Sequence, residues 1–242
     1  MLKAIIFDVD GTLAETEELH RIAFNTAFFD KDLPWHWDRQ QYRELLKVSG
    51  GKERIRHFIE TEQLPQRERT DLGDFIARLH QQKTSVYTQL VIDGKAELRP
   101  GVRQLIDAAR TAGIRLAIAT TTSLPNVEAL LQSSFNDAGD GLFEVICAGD
   151  SVPAKKPAPD IYLDALRQLD LTADSCLAIE DSRNGLLSAV GAGIPTVVTP
   201  GIYTDDQDFS EAHLVVPDLN SIAVDSLLNN SGTSAVARQL IG

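Results

Sequence analysis

The stretch Ala4-Ile5-Ile6-Phe7-Asp8-Val9-Asp10-Gly11-Thr12 constrains this chain more than any other. Four consecutive apolar residues, two of them β-branched, predict a strand buried on both faces. Two carboxylates follow at i and i+2, positions that extended backbone projects to the same side. Gly11 then permits a tight turn. An acidic pair is thus expected at the carboxyl end of a buried strand, where open α/β sheets hold their ligands. Asp-x-Asp-Gly also opens calcium loops and ordinary turns. A calcium loop, however, needs further oxygen ligands, a Glu shortly after and a helix on either side.

With 242 residues the chain can bury a sizeable core in one or two domains. No apolar run is long enough to span a membrane. No secretory leader precedes the first strand, so the expected location is cytoplasmic, a cleaved organelle transit peptide aside. The net charge of −12 argues against nucleic-acid and anionic-membrane partners. It also means that any phosphate must be captured by locally placed cations. Cys147 and Cys176 lie in apolar, strand-like runs and read as small core residues in a reducing compartment.

Residues 16 to about 92 read as helical. Leu19, Ile22, Ala23 and Ala27 follow helical spacing, 53–60 continues it, and Pro34 and Pro65 punctuate the block. From Arg99-Pro100-Gly101 the pattern changes. A helix carrying Val102, Leu105, Ile106 and Ala109 stops at Gly113. Strands at 116–120, 144–147, 176–179 and 196–198, with one more at 214–216, then alternate with helices around 127–131, 159–169 and 182–192. This rhythm predicts an α/β fold: a Rossmann-like parallel sheet with helices on both faces, interrupted after its first strand by an all-α insertion. The expected division is 1–15 with 97–242 as the α/β core and 16–96 as the helical domain. The last dozen residues, from about Ser231, are weakly patterned.

Four chemical elements fall at the ends of these strands or just beyond them. They are Asp8 with Asp10; Thr120, followed by Thr121, Thr122 and Ser123; Lys156; and Glu180-Asp181. A parallel sheet gathers them on one edge, and together they suit phosphoryl transfer. Asp8 and Asp181, with Glu180 nearby, can hold a hard cation such as Mg²⁺ through oxygen ligands, joined by the Asp10 main-chain carbonyl. Thr120 can hydrogen-bond the transferring phosphoryl group, and Lys156 can neutralise its charge. Asp8 is the candidate nucleophile, and Asp10 the candidate acid and base. Taken singly, each has a plain alternative: a strand-end Thr is usually a cap, and a Lys before Pro usually solvated.

Asp8-Val9-Asp10-Gly11-Thr12, Thr120, Lys156-Pro157-Ala158-Pro159-Asp160 and Glu180-Asp181-Ser182 resemble the four motifs of the haloacid dehalogenase-like hydrolases over nearly the whole chain. The insertion is similar to the helical cap of their β-phosphoglucomutase-like branch. Ala14-Glu15-Thr16-Glu17-Glu18-Leu19-His20, Gly50-Gly51-Lys52-Glu53-Arg54 and Thr120-Thr121-Thr122-Ser123-Leu124-Pro125-Asn126 resemble CbbY-type sugar phosphatases. The resemblance implies a Mg²⁺-dependent phosphatase acting on a sugar bisphosphate such as xylulose-1,5-bisphosphate. The nearest rival is a phosphomutase sharing the same phosphoenzyme. A signalling receiver domain also combines Asp, Thr and Lys around Mg²⁺, but it has no use for Asp10 or for the insertion.

Within the insertion, Ile76, Leu79, Val86, Tyr87 and Leu90 form an apolar stripe that includes Lys83, which must snorkel or meet an anion. Lys52 and Arg54 follow two glycines and read either as solvated helix-start charges or as ligands of a distal phosphate, with Gly51, Ser123 and Asn126 completing that subsite. Thr121 and Thr122 lie on the same core loop. Tyr42 and Arg43 read equally as surface helix residues or as substrate contacts. Glu17 can accept a sugar hydroxyl, and His20 reads as a packed hinge-helix histidine. A monomer is the expected state.

Overall fold

The computed structural model describes residues 1–62, 72–135, 141–149 and 151–222. Pro65 and the tail from Ser231 lie outside them. Strand β1 (Ala4–Phe7) pairs in parallel with β2 (Arg115–Thr120) on one side and β4 (Cys176–Glu180) on the other. With β3 (Val145–Ala148), β5 (Thr196–Val198) and β6 (Leu214–Val215) the order is β3-β2-β1-β4-β5-β6, every pairing parallel. The chain winds outward from β1 to β3 and then returns to β4, so the crevice between β1 and β4 is the point where strand order reverses.

All four residues of β1 are buried, as an uninterrupted apolar run requires. Ile5 and Phe7 join the core cluster shared with α5 (Val102–Thr111) and α6 (Leu124–Phe135). Ala4 and Ile6 face the opposite cluster, shared with α7 (Asp160–Leu169) and α8 (Arg183–Gly191). The sheet is therefore sandwiched, and both cysteines are buried in the second cluster as free thiols. Several boundaries differ slightly from the sequence expectation. Strand β3 begins at Val145 because Glu144 turns outward to Arg115, 2.7 Å from its Nε. Pro159 caps α7 rather than entering it.

Helices α1 (Glu17–Asp30), α2 (Arg39–Leu45), α3 (Gly51–Thr61) and α4 (Leu72–Ile92) stand between β1 and α5. Phe24, Phe28, Trp37, Tyr42 and Phe58 build their core with Ile55 and Leu79. The buried face of α1 is His20, Ala23, Phe24, Ala27 and Phe28; Ile22, expected on it, is 37% exposed. The two phenylalanines set this face because they fill the aromatic cluster. Among the described residues no helix is long and apolar enough to cross a membrane.

Two adjacent connections join the helices to the sheet. Ala14 and Leu98 form an antiparallel bridge, with Glu15 N donating to Glu97 O at 3.1 Å and Arg99 N to Leu13 O at 2.9 Å. Tyr203, from the segment after β5, inserts into the aromatic cluster of the helices.

Candidate active site

Asp8 leaves β1 with its backbone N–H still bonded to Ile179 O at 3.0 Å, which fixes the carboxylate at the sheet edge. Lys156 Nζ lies 2.6 Å from Asp8 Oδ1 and 2.6 Å from Glu180 Oε1, and the Tyr162 hydroxyl donates to the same Glu180 oxygen at 2.6 Å. Ligand atoms of Asp8, Glu180 and Asp181 all lie within 4.8 Å of one another, and all three residues are buried. Burial raises the Asp8 pKa, with Glu180 and Asp10 adding to it against the opposing pull of Lys156. Burial, then Asp8 and Glu180, also raises Asp181. Lys156 is held protonated: its two carboxylate partners outweigh the cost of burying it.

Among the groups in direct contact here, three carboxylates face one ammonium. A doubly charged cation would offset the excess, and an all-oxygen donor set suits a hard ion such as Mg²⁺. Two further observations fit. Glu180 Oε2 is buried with no hydrogen-bond partner. The acidic group also sits in a glycine cradle: a Cβ at Gly185 would come within 1.9 Å of Glu180 Oε2, and one at Gly11 within 2.3 Å of Asp181 Oδ2.

Asp10 belongs to a separate network. Its Oδ1 accepts from Thr16 Oγ1 at 2.6 Å and lies 2.8 Å from His20 Nε2. His20 Nδ1 is 2.5 Å from Lys83 Nζ, and Tyr87 stacks on the imidazole at 4.0 Å. An ammonium donating to Nδ1 leaves a neutral ring's proton on Nε2, aimed at Asp10. Burial alone would raise Asp10, but His20, Thr16 and Lys83 outweigh it and hold the carboxyl well below its usual range. Burial pushes Lys83 down to about 7. His20 is buried, as a packing histidine would be, yet it also orients Asp10. Neither this role nor that of Thr16 was visible in the sequence, because nothing local shows what a helical residue meets across a cavity.

A cavity of about 770 Å³ opens between the sheet edge and the inserted helices. Asp8, Asp10, Asp181, Lys156 and Thr120 line its floor, and Thr121, Thr122, Ser123 and Asn126 one wall. Thr120 Oγ1 accepts from Thr122 N at 3.2 Å, and Ser123 Oγ is buried without a partner. Asn126 is largely committed, donating to Thr122 Oγ1 at 3.1 Å. Glu17, Arg43, Gly51, Lys52, Arg54 and Lys83 line the helical side. Arg54 is buried, donating to Leu45 O at 3.1 Å, and to Tyr42 Oη and Val48 O. Arg43 reaches across to Asp205 at 2.6 Å and Asp206 at 3.0 Å.

Two of the candidates stand apart from the cavity lining. Tyr42 is fully buried, its hydroxyl donating to Glu17 Oε2 at 2.8 Å, so it orients Glu17 from behind. Glu180 lies beneath the floor, against Lys156 and Tyr162. His80, which the sequence reading passed over, also lines the cavity. It lies four residues past Ile76 and three before Lys83, a spacing that would have found it.

Residues 2–193 match the family described as haloacid dehalogenase-like hydrolase. Protein CbbY of Rhodobacter capsulatus is 49% identical over 231 residues, 93% of this chain and 97% of that protein. A crystal structure of a CbbY mutant from Rhodobacter sphaeroides in complex with xylulose-1,5-bisphosphate superposes with a TM-score of 0.84 at 49% identity, covering 90% of this chain and 95% of that one. The fold is also that of a β-phosphoglucomutase from Clostridium difficile, with a TM-score of 0.76 at 19% identity over 94% and 96% of the two chains. The chain therefore belongs to the haloacid dehalogenase-like hydrolases, as a phosphatase of the CbbY group.

Proposed function

We propose that the protein is a Mg²⁺-dependent phosphatase that hydrolyses a sugar bisphosphate such as xylulose-1,5-bisphosphate through an aspartyl-phosphate. One observation carries the mechanism: the two aspartates of Asp-Val-Asp-Gly are divided between networks of opposite character. Asp8, against Lys156 and open to the cavity, is the nucleophile. Its Oδ forms a bond to phosphorus as the sugar–oxygen bond to phosphorus breaks. Asp10, held by Thr16 and His20, handles protons. It must carry a proton to the departing alkoxide, and it then takes one from the water that displaces Asp8 and releases inorganic phosphate. As arranged here Asp10 is ionised, the state the second step needs. The Lys83–His20 chain leads to its carboxylate and is the route by which a proton reaches it for the first.

Asp8, Asp181, the Asp10 carbonyl and Glu180 would hold Mg²⁺, which when bound offsets repulsion between the carboxylate and the phosphate. Lys156 and Thr120 meet the transferring phosphoryl oxygens, with the unpartnered Ser123 hydroxyl as an additional donor. The inserted helices act as a cap over this floor, and Lys52, Lys83 and Arg54 gather cations where a second phosphate would lie. Likeness to CbbY proteins supports the bisphosphate as substrate.

The test is phosphate release from a panel of sugar mono- and bisphosphates. Release should be strongest with a bisphosphate, should stop on chelation and should return with Mg²⁺. Asp8→Asn should abolish it together with covalent labelling. Near-normal turnover by Asp8→Asn would remove the nucleophile assignment, and full activity after exhaustive chelation would remove the metal. Accumulation of an isomeric sugar phosphate in place of inorganic phosphate would mean a mutase.

A further inference from the structure

Arg99 is a half-buried cation whose hydrogen bonds all go to uncharged oxygens. It lies on the second connection between helices and sheet, where its own N–H pairs with Leu13 O. Its Nη1 donates to Gly11 O, to Thr199 O at 2.5 Å and to Thr199 Oγ1 at 3.3 Å. Its Nη2 donates to Pro200 O at 2.9 Å, with Pro217 O at 3.5 Å. Gly11 belongs to the turn after β1, and Thr199 and Pro200 to the segment after β5. In the sheet β1 and β5 stand on either side of β4, which ends at Glu180 and runs into Asp181. The guanidinium therefore reaches across the end of β4, a span that a planar fork of donors covers and a compact ammonium does not.

The acidic group lies under this bridge. A Cβ at Gly11 would fall within 2.3 Å of Asp181 Oδ2, and one at Gly201, next after Pro200, would lie 3.8 Å from the same oxygen. Asp181 is thus boxed between two glycines, one on each segment that Arg99 ties down. Gly11 N donates to Ala14 O at 2.9 Å, and the planar peptide then points the Asp10 carbonyl the opposite way. Arg99 holds the next carbonyl along, that of Gly11. On the other side Thr199 N donates to Glu180 O at 2.8 Å, so the β5 end also fixes the backbone of the second carboxylate. We propose that Arg99 is a positioning residue for the metal site: it staples the β1 turn to the β5 end across β4, and so holds Asp181 and the Asp10 carbonyl in place for the cation. The inference rests on the Mg²⁺ reading given above. Arg99 touches neither substrate nor metal; it acts through the loops on which the ligands stand.

The experiment is titration of the full-length protein with Mn²⁺, read by electron paramagnetic resonance. It is paired with the Mg²⁺ concentration that half-saturates phosphate release from xylulose-1,5-bisphosphate. The sign of the change discriminates. The charge of Arg99 acts on the Asp181 carboxylate and repels a cation held there, so if charge alone mattered its removal would tighten Mn²⁺ binding. Arg99→Gln should instead weaken Mn²⁺ binding about tenfold, the scale on which partners behind metal ligands act, and raise the half-saturating Mg²⁺ by a similar factor. Arg99→Lys keeps a cation among the carbonyls, and with it the fold, but cannot span both segments, so it should show most of the same loss. Arg115→Gln is the control. Arg115 also draws in a distant carbonyl, Leu169 O at 2.8 Å, but stands beside Ala4 at the amino edge of the sheet. Its loss should lower Tm and leave Mn²⁺ affinity unchanged. Mn²⁺ bound as tightly by Arg99→Gln as by the unmutated protein, or more tightly, would overturn the staple while leaving the metal reading intact. Binding at full strength by Arg99→Lys, or an equal loss in Arg115→Gln, would do the same. No Mn²⁺ binding by the unmutated protein, with phosphate release indifferent to chelation, would remove the metal and the role of Arg99 together.

Discussion

Lys52 and Lys83 read alike in the sequence, as cations of the insertion facing a distal phosphate, yet the structure gives them different neighbours. Lys83 is buried and bonded to His20, which in turn meets Asp10. Lys52 is half-buried at the start of α3. Charge-assisted hydrogen bonds are worth roughly 1.5–3 kcal/mol, or about tenfold to a hundredfold in kcat/KM. Lys52→Ala should therefore cost about that much on a sugar bisphosphate and little on a monophosphate. Lys83→Ala should cost on both, with kcat falling, because it also removes the donor that orients His20. Steady-state kinetics of the two variants on both substrates check this. A loss confined to the bisphosphate for Lys83→Ala would disconnect it from Asp10. The core motifs were legible because strand order alone brings Asp8, Thr120 and Glu180-Asp181 to one edge. Thr16 and His20 were not, because a helix shows its spacing in sequence but not what stands opposite.

The elements were legible for the same reason, down to their stops. Every strand of the sheet lies within a residue of its apolar run; β1, β4 and β5 are buried throughout, while β3 alternates and β6, at the edge, is partly exposed. On α1 Ala23 and Ala27 lie on the buried face as expected, and Ile22 does not, since Ile22 and Phe24 are both apolar and only tertiary packing chooses between them. Glycine has a definite role where α5 begins. Gly101 has φ +84°, and a Cβ there would lie 2.4 Å from Asn220 N and 2.4 Å from the Leu219 carbonyl carbon. Both obstacles are backbone, so neither moves aside. Gly101→Ala should thus cost at least the roughly 1–2 kcal/mol of left-handed strain, lowering Tm by on the order of 5 °C in a chain of this length. Gly94→Ala shares a positive φ but meets nothing within 4 Å, so it should cost the strain alone. Thermal unfolding of the pair separates strain from collision, and equal shifts would contradict the contact at Gly101.

At the scale of the molecule, the cations that would meet a distal phosphate stand on the inserted helices, while the carboxylates and Lys156 stand on the sheet. A bisphosphate engages both only if the two layers are together, so binding and closure are linked. Contacts that span the mouth of the cavity include Arg43 to Asp205 and Asp206, Asn184 Nδ2 to Lys47 O at 2.9 Å and to Ser49 Oγ at 3.2 Å, and Lys155 to Glu53 at 3.3 Å. The bridged connections at Ala14 and Leu98 form a narrow base about which the layers can turn. We expect the free protein to sample more open arrangements and the bisphosphate to draw it shut. Small-angle scattering of Asp8→Asn with Mg²⁺ should show the radius of gyration decreasing as xylulose-1,5-bisphosphate is added. Arg43→Ala removes its pairs with Asp205 and Asp206 and its bond to Ile202 O across the mouth, all of them partly open to solvent, so KM should rise by about two- to fivefold with kcat nearly unchanged. The radius of gyration of the free protein should increase in that variant. Identical scattering with and without ligand, together with crystals of both states showing the helices unmoved, would mean that the cavity is preformed and the spanning contacts are static.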